Sequence, residues 1–155
     1  MADIEVNIGE IAITKNADTL VASGVGSCLV ITLYDPKNRI GGLAHAMLPS
    51  SVNRHSYTKN CELHSTSSVD VAIDEMLKRI ETCGAKGEDL EAKLIGGANM
   101  FSAFASDIGM ENVLSAKDKL KKEGIKIIGE SVGGSQGRSV EFSVASGIVT
   151  IKMKF

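Results

Sequence analysis

The feature that most constrains this chain is a change of hydrophobic spacing along its length. Apolar runs and strict alternation occupy both ends, and segments with three- and four-residue spacing lie between them. Four β-rich stretches open the chain, at Ile4 to Thr14, Thr19 to Ser23, Cys28 to Tyr34 and Ile40 to Leu48. Asp35-Pro36-Lys37-Asn38 separates the last two and suits a type I turn, so a hairpin is expected with Cys28 and His45 on neighbouring strands. Val69, Ala72, Ile73, Met76, Leu77 and Ile80 then predict a helix, capped by Ser67 or Ser68 and ended at Gly84. A short strand is expected around Ala92 to Ile95. A second helix is expected from about Glu111 to Glu123, with Val113, Leu114, Lys117 and Leu120 on one side and a stop at Gly124. The last third returns to strands: Ile125 to Gly129, the alternating Val140, Phe142 and Val144, and Ile148 to Phe155 after the turn signal Ser146-Gly147. Strands at both ends and two amphipathic helices in the middle point to an α+β layered domain whose helices cover one face of a mixed β-sandwich.

At 155 residues and 43% apolar composition, one domain spanning 1–155 is expected. A formal charge of -2 with 23% charged residues lacks the basic excess of a nucleic-acid binder. No stretch approaches the roughly 20 apolar residues that span a bilayer, so no membrane insertion is expected and the protein is read as cytoplasmic. Cys28, Cys61 and Cys83 form no CxxC pair, which favours reduced thiols over a disulfide framework. The polar stretch from Pro49 to Thr66 reads as a long surface loop, either functional or simply mobile.

Chemistry concentrates at Gly24-Val25-Gly26-Ser27-Cys28, a glycine-spaced turn that delivers a cysteine to the start of an apolar strand. The same glycines lack the third glycine of a dinucleotide fingerprint, and a strand follows them instead of a helix. A thiol is mostly protonated at neutral pH, and a neighbouring imidazole makes it nucleophilic by taking its proton. His45 supplies that neighbour, in a strand of small and apolar residues. Each residue also has a plainer reading: Cys28 as a small buried hydrophobe, His45 as a core histidine satisfied by a carbonyl. A third group should accept the other imidazole N–H. No Asp or Glu stands out for this, whereas the preceding strand offers the Ser23 hydroxyl and several carbonyls.

Four ordered motifs resemble the chemoreceptor glutamine deamidase (CheD) family of bacterial and archaeal chemotaxis. They are Gly24-Val25-Gly26-Ser27-Cys28 followed by the Tyr-Asp-Pro turn, Gly41-Gly42-Leu43-Ala44-His45 running into Met47-Leu48-Pro49, Gly96-Gly97-Ala98-Asn99-Met100-Phe101, and Gly133-Gly134-Ser135-Gln136-Gly137-Arg138. The resemblance implies hydrolysis of glutamine side-chain amides on the cytoplasmic helices of chemoreceptors, giving glutamate and ammonia. Some family members are also credited with methylester hydrolysis. It places the nucleophile on Cys28 and the base on His45, and it implies an α/β/β layered fold like that of the cytotoxic necrotizing factor deamidases. No cofactor is implied. The phosphatase CheC is implied as a partner, where the cell has it. Two positions depart from the pattern. The family's usual threonine six residues before the cysteine is Ala22 here, so a backbone carbonyl near Ala22 is expected to orient His45, Ser23 being turned to the other strand face. Ser131 stands where an acidic residue is frequent.

On this reading the thiolate attacks the amide carbon and the thioester is then hydrolysed, each step passing through an oxyanion. Backbone N–H groups around Gly26, Ser27 and Cys28 are candidate oxyanion donors, and Asn99 is a candidate substrate contact or an ordinary turn residue. Two other readings compete. One is a catalytically silent adaptor that keeps the fold and binds CheC or receptors. The other is a metal site drawn from His55, Cys61 and His64, although Cys61-x-x-His64 is only half of a usual zinc pattern.

Overall fold

Among the described residues two sheets and two α-helices form the layers, and the α-helices lie on one sheet only. The structure is a computed structural model and describes residues 2–49, 65–100 and 107–154. The strands are β1 (Asp3–Glu5), β2 (Ile11–Thr14), β3 (Thr19–Val25), β4 (Leu29–Asp35), β5 (Ile40–Ala46), β6 (Glu91–Gly96), β7 (Lys126–Val132), β8 (Arg138–Ser143) and β9 (Ile148–Met153). The helices are α1 (Val69–Thr82) and α2 (Ile108–Lys122). A five-stranded sheet runs β2-β5-β4-β6-β7, antiparallel except for the parallel β6–β7 pair. A four-stranded sheet runs β1-β3-β8-β9, with β1 parallel to β3.

Two apolar cores follow from this layering. Leu29, Ile31, Leu33, Ala44 and Ala46 of the central hairpin pack with Val69, Ile73, Met76 and Ile80 of α1 and Val113, Ala116 and Leu120 of α2. The opposite face of the same strands, with Val30, Leu43 and Ile95, packs on Leu20, Ala22, Val140 and Phe142 of the second sheet. The order helix layer, sheet, sheet is the expected α/β/β arrangement. Gly42 sits where a Cβ would come within 2.3 Å of Ile13 Cδ1, so β5 is pressed close to its neighbour.

Three expectations change in detail. The stretch Ile4 to Thr14 divides into β1 and β2, which join different sheets. The break is a turn in which Glu10 N–H donates to Asn7 O at 2.9 Å and Gly9 takes φ +86°. The second helix starts at Ile108, where the Asp107 carboxylate accepts the Met110 N–H at 3.0 Å. Its buried stripe runs through Gly109, Asn112, Val113, Ala116 and Leu120, whereas Leu114 is 58% exposed. Small and polar residues hold that stripe, and apolar periodicity does not count them. Ser68 precedes α1 but makes no side-chain cap. A backbone bond from Val69 N–H to Leu48 O, 2.7 Å, fixes the helix start instead. Residues 50–64 of the polar loop lie outside the described residues, as do His55, Cys61, His64 and Phe101.

Candidate active site

The β4–β5 register sets Val30 opposite His45 and Leu29 opposite Ala46. Cys28, expected as the first residue of this strand, lies instead in the bend 26–28 just before β4; carrying the strand alternation one residue back from Leu29 would turn it to the face that Val30 shares with His45. That is the face toward the second sheet. Cys28 is half-buried at the sheet end and His45 is 2% exposed. The hairpin thus pairs the strand that begins just after Cys28 with the strand that carries His45.

The turn before Cys28 is held by its carbonyls. Gly26 O accepts from Ala98 N–H at 3.0 Å, Ser27 O from Asn112 Nδ2 at 2.9 Å, and Cys28 O from Gly97 N–H at 2.8 Å. Glycine is required beside it: a Cβ on Gly96, whose φ is +113°, would lie 2.4 Å from Cys28 O. Arg138 is 4% exposed and finds no carboxylate in its described bonds. It donates from Nη1 to Gly96 O at 3.1 Å and from Nη2 to Gly133 O at 2.9 Å. Gly133 N–H closes onto Gly96 O at 3.0 Å, and Asn99 N–H donates to Gly134 O at 2.8 Å. The segments around Gly26, Gly97 and Gly133 therefore meet behind Cys28, although they lie far apart in sequence.

His45 is oriented by a main-chain oxygen. Its Nδ1 lies 3.1 Å from Val6 O. A carbonyl only accepts, so Nδ1 carries the hydrogen and Nε2 presents its lone pair. Nε2 is buried and has no partner among the described residues. The orienting carbonyl was expected near Ala22. It comes from Val6, whose own N–H bonds Val21 O across the β1–β3 pair at 2.7 Å. Ala22 itself is fully buried opposite Val140, and Ser23 is exposed, so neither side chain is placed to orient the ring.

Burial sets both proton equilibria. It pushes the Cys28 thiol up, with a smaller opposing pull from the residue's own backbone N–H. It pushes His45 below the ordinary histidine value, against which the bond to Val6 works. Both shifts favour the uncharged forms, a thiol and a neutral imidazole. This pair suits proton transfer coupled to attack better than a standing ion pair. Among the described residues no group of three or more His, Cys, Asp or Glu is placed to hold a metal ion. Asn99 is half-buried on the loop after β6. Sequence reasoning did not single out Val6, Asn112 or Arg138. Arg138 closes one of the quoted motifs, which was its only signal, and Val6 contributes only main-chain atoms to the ring.

Residues 47–153 match the family model described as CheD chemotactic sensory transduction. A probable chemoreceptor glutamine deamidase CheD 2 from Geobacter metallireducens is 40% identical, covering 96% of this chain and 92% of the relative. A probable chemoreceptor glutamine deamidase CheD from Thermococcus kodakarensis is 39% identical over 97% and 92%. The chemoreceptor glutamine deamidase CheD of Thermotoga maritima is 36% identical over 95% and 89%. Among solved structures, a hypothetical protein YfiH from Bacillus licheniformis covers 81% of this chain and 51% of its own, with a TM-score of 0.49 and 13% identity, and that likeness carries no argument.

Proposed function

The chain belongs to the CheD family, and from that premise we propose that it is a cytoplasmic cysteine-dependent protein-glutamine deamidase acting on chemoreceptor helices. The observation that carries the reading is the Val6 carbonyl on His45 Nδ1, which leaves Nε2 without a partner among the described residues, on the strand paired with the one that Cys28 leads into. His45 Nε2 takes the thiol proton as sulfur bonds to the glutamine amide carbon, and the carbonyl electrons move onto oxygen. When that oxyanion collapses, the carbon–nitrogen bond breaks and the imidazolium gives its proton to the leaving amine, releasing ammonia. Water, deprotonated by the same Nε2, attacks the thioester. The second oxyanion expels the sulfur, which regains a proton. The sum is a carboxamide and water giving a carboxylic acid and ammonia, with enzyme unchanged and no cofactor. One neutral side chain becomes an anion per event, which biases packing between receptor helices through like-charge repulsion. CheC is a partner on this reading, where the cell contains it.

Ammonia release from a cognate receptor fragment, with a one-dalton mass gain per site, tests the proposal. Wild type is expected to be active and Cys28→Ala to fall to background. Activity surviving Cys28→Ala would remove the assigned nucleophile. A folded wild type inactive on every cognate receptor would leave the adaptor reading.

A further inference from the structure

Asn112 lies on α2, on the far side of the sheet from the face that Val30 shares with His45. It is fully buried, and its carboxamide nitrogen donates to Ser27 O at 2.9 Å and to Met47 O at 3.2 Å. An asparagine nitrogen carries two hydrogens, so both bonds form together. The two carbonyls flank the hairpin, Ser27 ahead of β4 and Met47 after β5, just beyond Leu29 and Ala46 where the β4–β5 ladder ends. The helix side chain therefore bridges the hairpin where main-chain pairing stops, next to the nucleophile. Val113, Ala116 and Leu120 already supply the apolar contact of α2. A buried polar group adds nothing to that contact and is costly unless bonded.

The bond also fixes a direction. A trans peptide is planar, and its C=O and N–H point opposite ways. With Ser27 C=O turned to α2, the Cys28 N–H points away from α2, toward the face where sulfur meets substrate. Glycines at 24 and 26 leave the turn free to rotate, and a flipped 27–28 peptide would aim a carbonyl oxygen at the developing oxyanion. We propose that Asn112 is a positioning residue that holds the Ser27–Cys28 peptide with its N–H toward the oxyanion formed on Cys28 attack. The proposal rests on the deamidase reading for its substrate, but its geometry applies to any acyl group on that sulfur.

Two reagents separate oxyanion stabilisation from thiol reactivity. p-Nitrophenyl acetate transfers its acetyl group to sulfur through a tetrahedral oxyanion, expelling p-nitrophenolate. Iodoacetamide alkylates sulfur by displacing iodide, with no oxyanion. In Asn112→Asp and Asn112→Ala the ratio of acylation to alkylation rates at Cys28 is expected to fall at least about tenfold, approaching the roughly hundredfold loss of a deleted oxyanion donor. Alkylation is expected to stay within about threefold of wild type, and kcat for ammonia release to fall with KM unchanged. An unchanged ratio would overturn the proposal. So would an equal fall in both reactions, or loss of the folded state in both variants. A wild type that releases no ammonia while the ratio still falls in the variants would refute the deamidase reading and leave the positioning role standing.

Discussion

The central hairpin β4–β5 and the edge hairpin β8–β9 are both antiparallel pairs, yet they treat polar residues oppositely. Every residue of β4 and β5 is buried except Tyr34, which is half-buried, because helices cover one face and the second sheet covers the other. In β8–β9 one face is open, and Glu141, Ile148, Thr150 and Lys152 stand in solvent. A polar side chain in the edge pair is cheap and carries little information. In the central pair it needs a bonded partner inside the protein. Asp35 meets that demand at the turn by accepting Lys37 N–H at 3.0 Å and Asn38 N–H at 3.2 Å. His45 meets it through Val6 on one nitrogen and leaves the other nitrogen open. Arg138 is the exception in the edge pair, a buried cation that works on the central sheet by holding Gly96.

That contrast can be broken most forcefully at the exception. Arg138→Met removes one of the two donors to Gly96 O, which keeps the Gly133 N–H, and the guanidinium donor to Gly133 O, and is expected to cost about 2–4 kcal/mol by denaturant unfolding. Lys152→Gln on the same hairpin should stay within about 0.5 kcal/mol. A neutral Arg138→Met would show that the edge hairpin is uniform after all. A smaller effect is expected from Gly42→Ala, whose Cβ would meet Ile13 Cδ1 at 2.3 Å and Ala12 O at 3.4 Å. Movement of the Ile13 tip absorbs part of that clash, and about 1–2 kcal/mol should remain. A loss no larger than that of Lys152→Gln would mean that β5 is not tightly packed.

The smallest effect is a pH slope. Burial lowers the folded-state pKa of His45, so below the ordinary histidine value of about 6.5 the unfolded chain takes up a proton that the folded chain refuses. The stability contributed by neutral His45 is complete above that value and is lost as pH falls toward the folded-state pKa. Thermal unfolding between pH 7 and pH 5 should therefore show a falling midpoint in wild type and a shallower fall in His45→Gln. Equal slopes in the two proteins would mean that His45 titrates as though exposed.

Much of this architecture could be read in advance because it is local. Alternation at Val140, Phe142 and Val144 marked β8, the spacing from Val69 to Ile80 marked α1, and the Asp35 turn paired the strand that follows Cys28 with the strand that carries His45. Where expectation and structure part, long-range competition decided. Ile4 to Thr14 looks continuous, but its halves pair with strands of different sheets. Val113 and Leu120 are buried as expected, but small residues at Gly109 and Ala116 rotate the buried stripe of α2 away from Leu114.

What the sequence determined by itself was the set of local periods, the turn chemistry and the presence of a thiol just ahead of one strand and an imidazole on its partner, since those depend on side chains a few residues apart. Only the tertiary structure decided what holds that pair. His45 reaches Val6 across 39 residues, Arg138 reaches Gly96 across 42, and Asn112 reaches Ser27 across 85. Each of these bonds ends on a main-chain carbonyl. Every residue carries one, so no side-chain pattern marks which carbonyl will be used until the sheets and helices have packed.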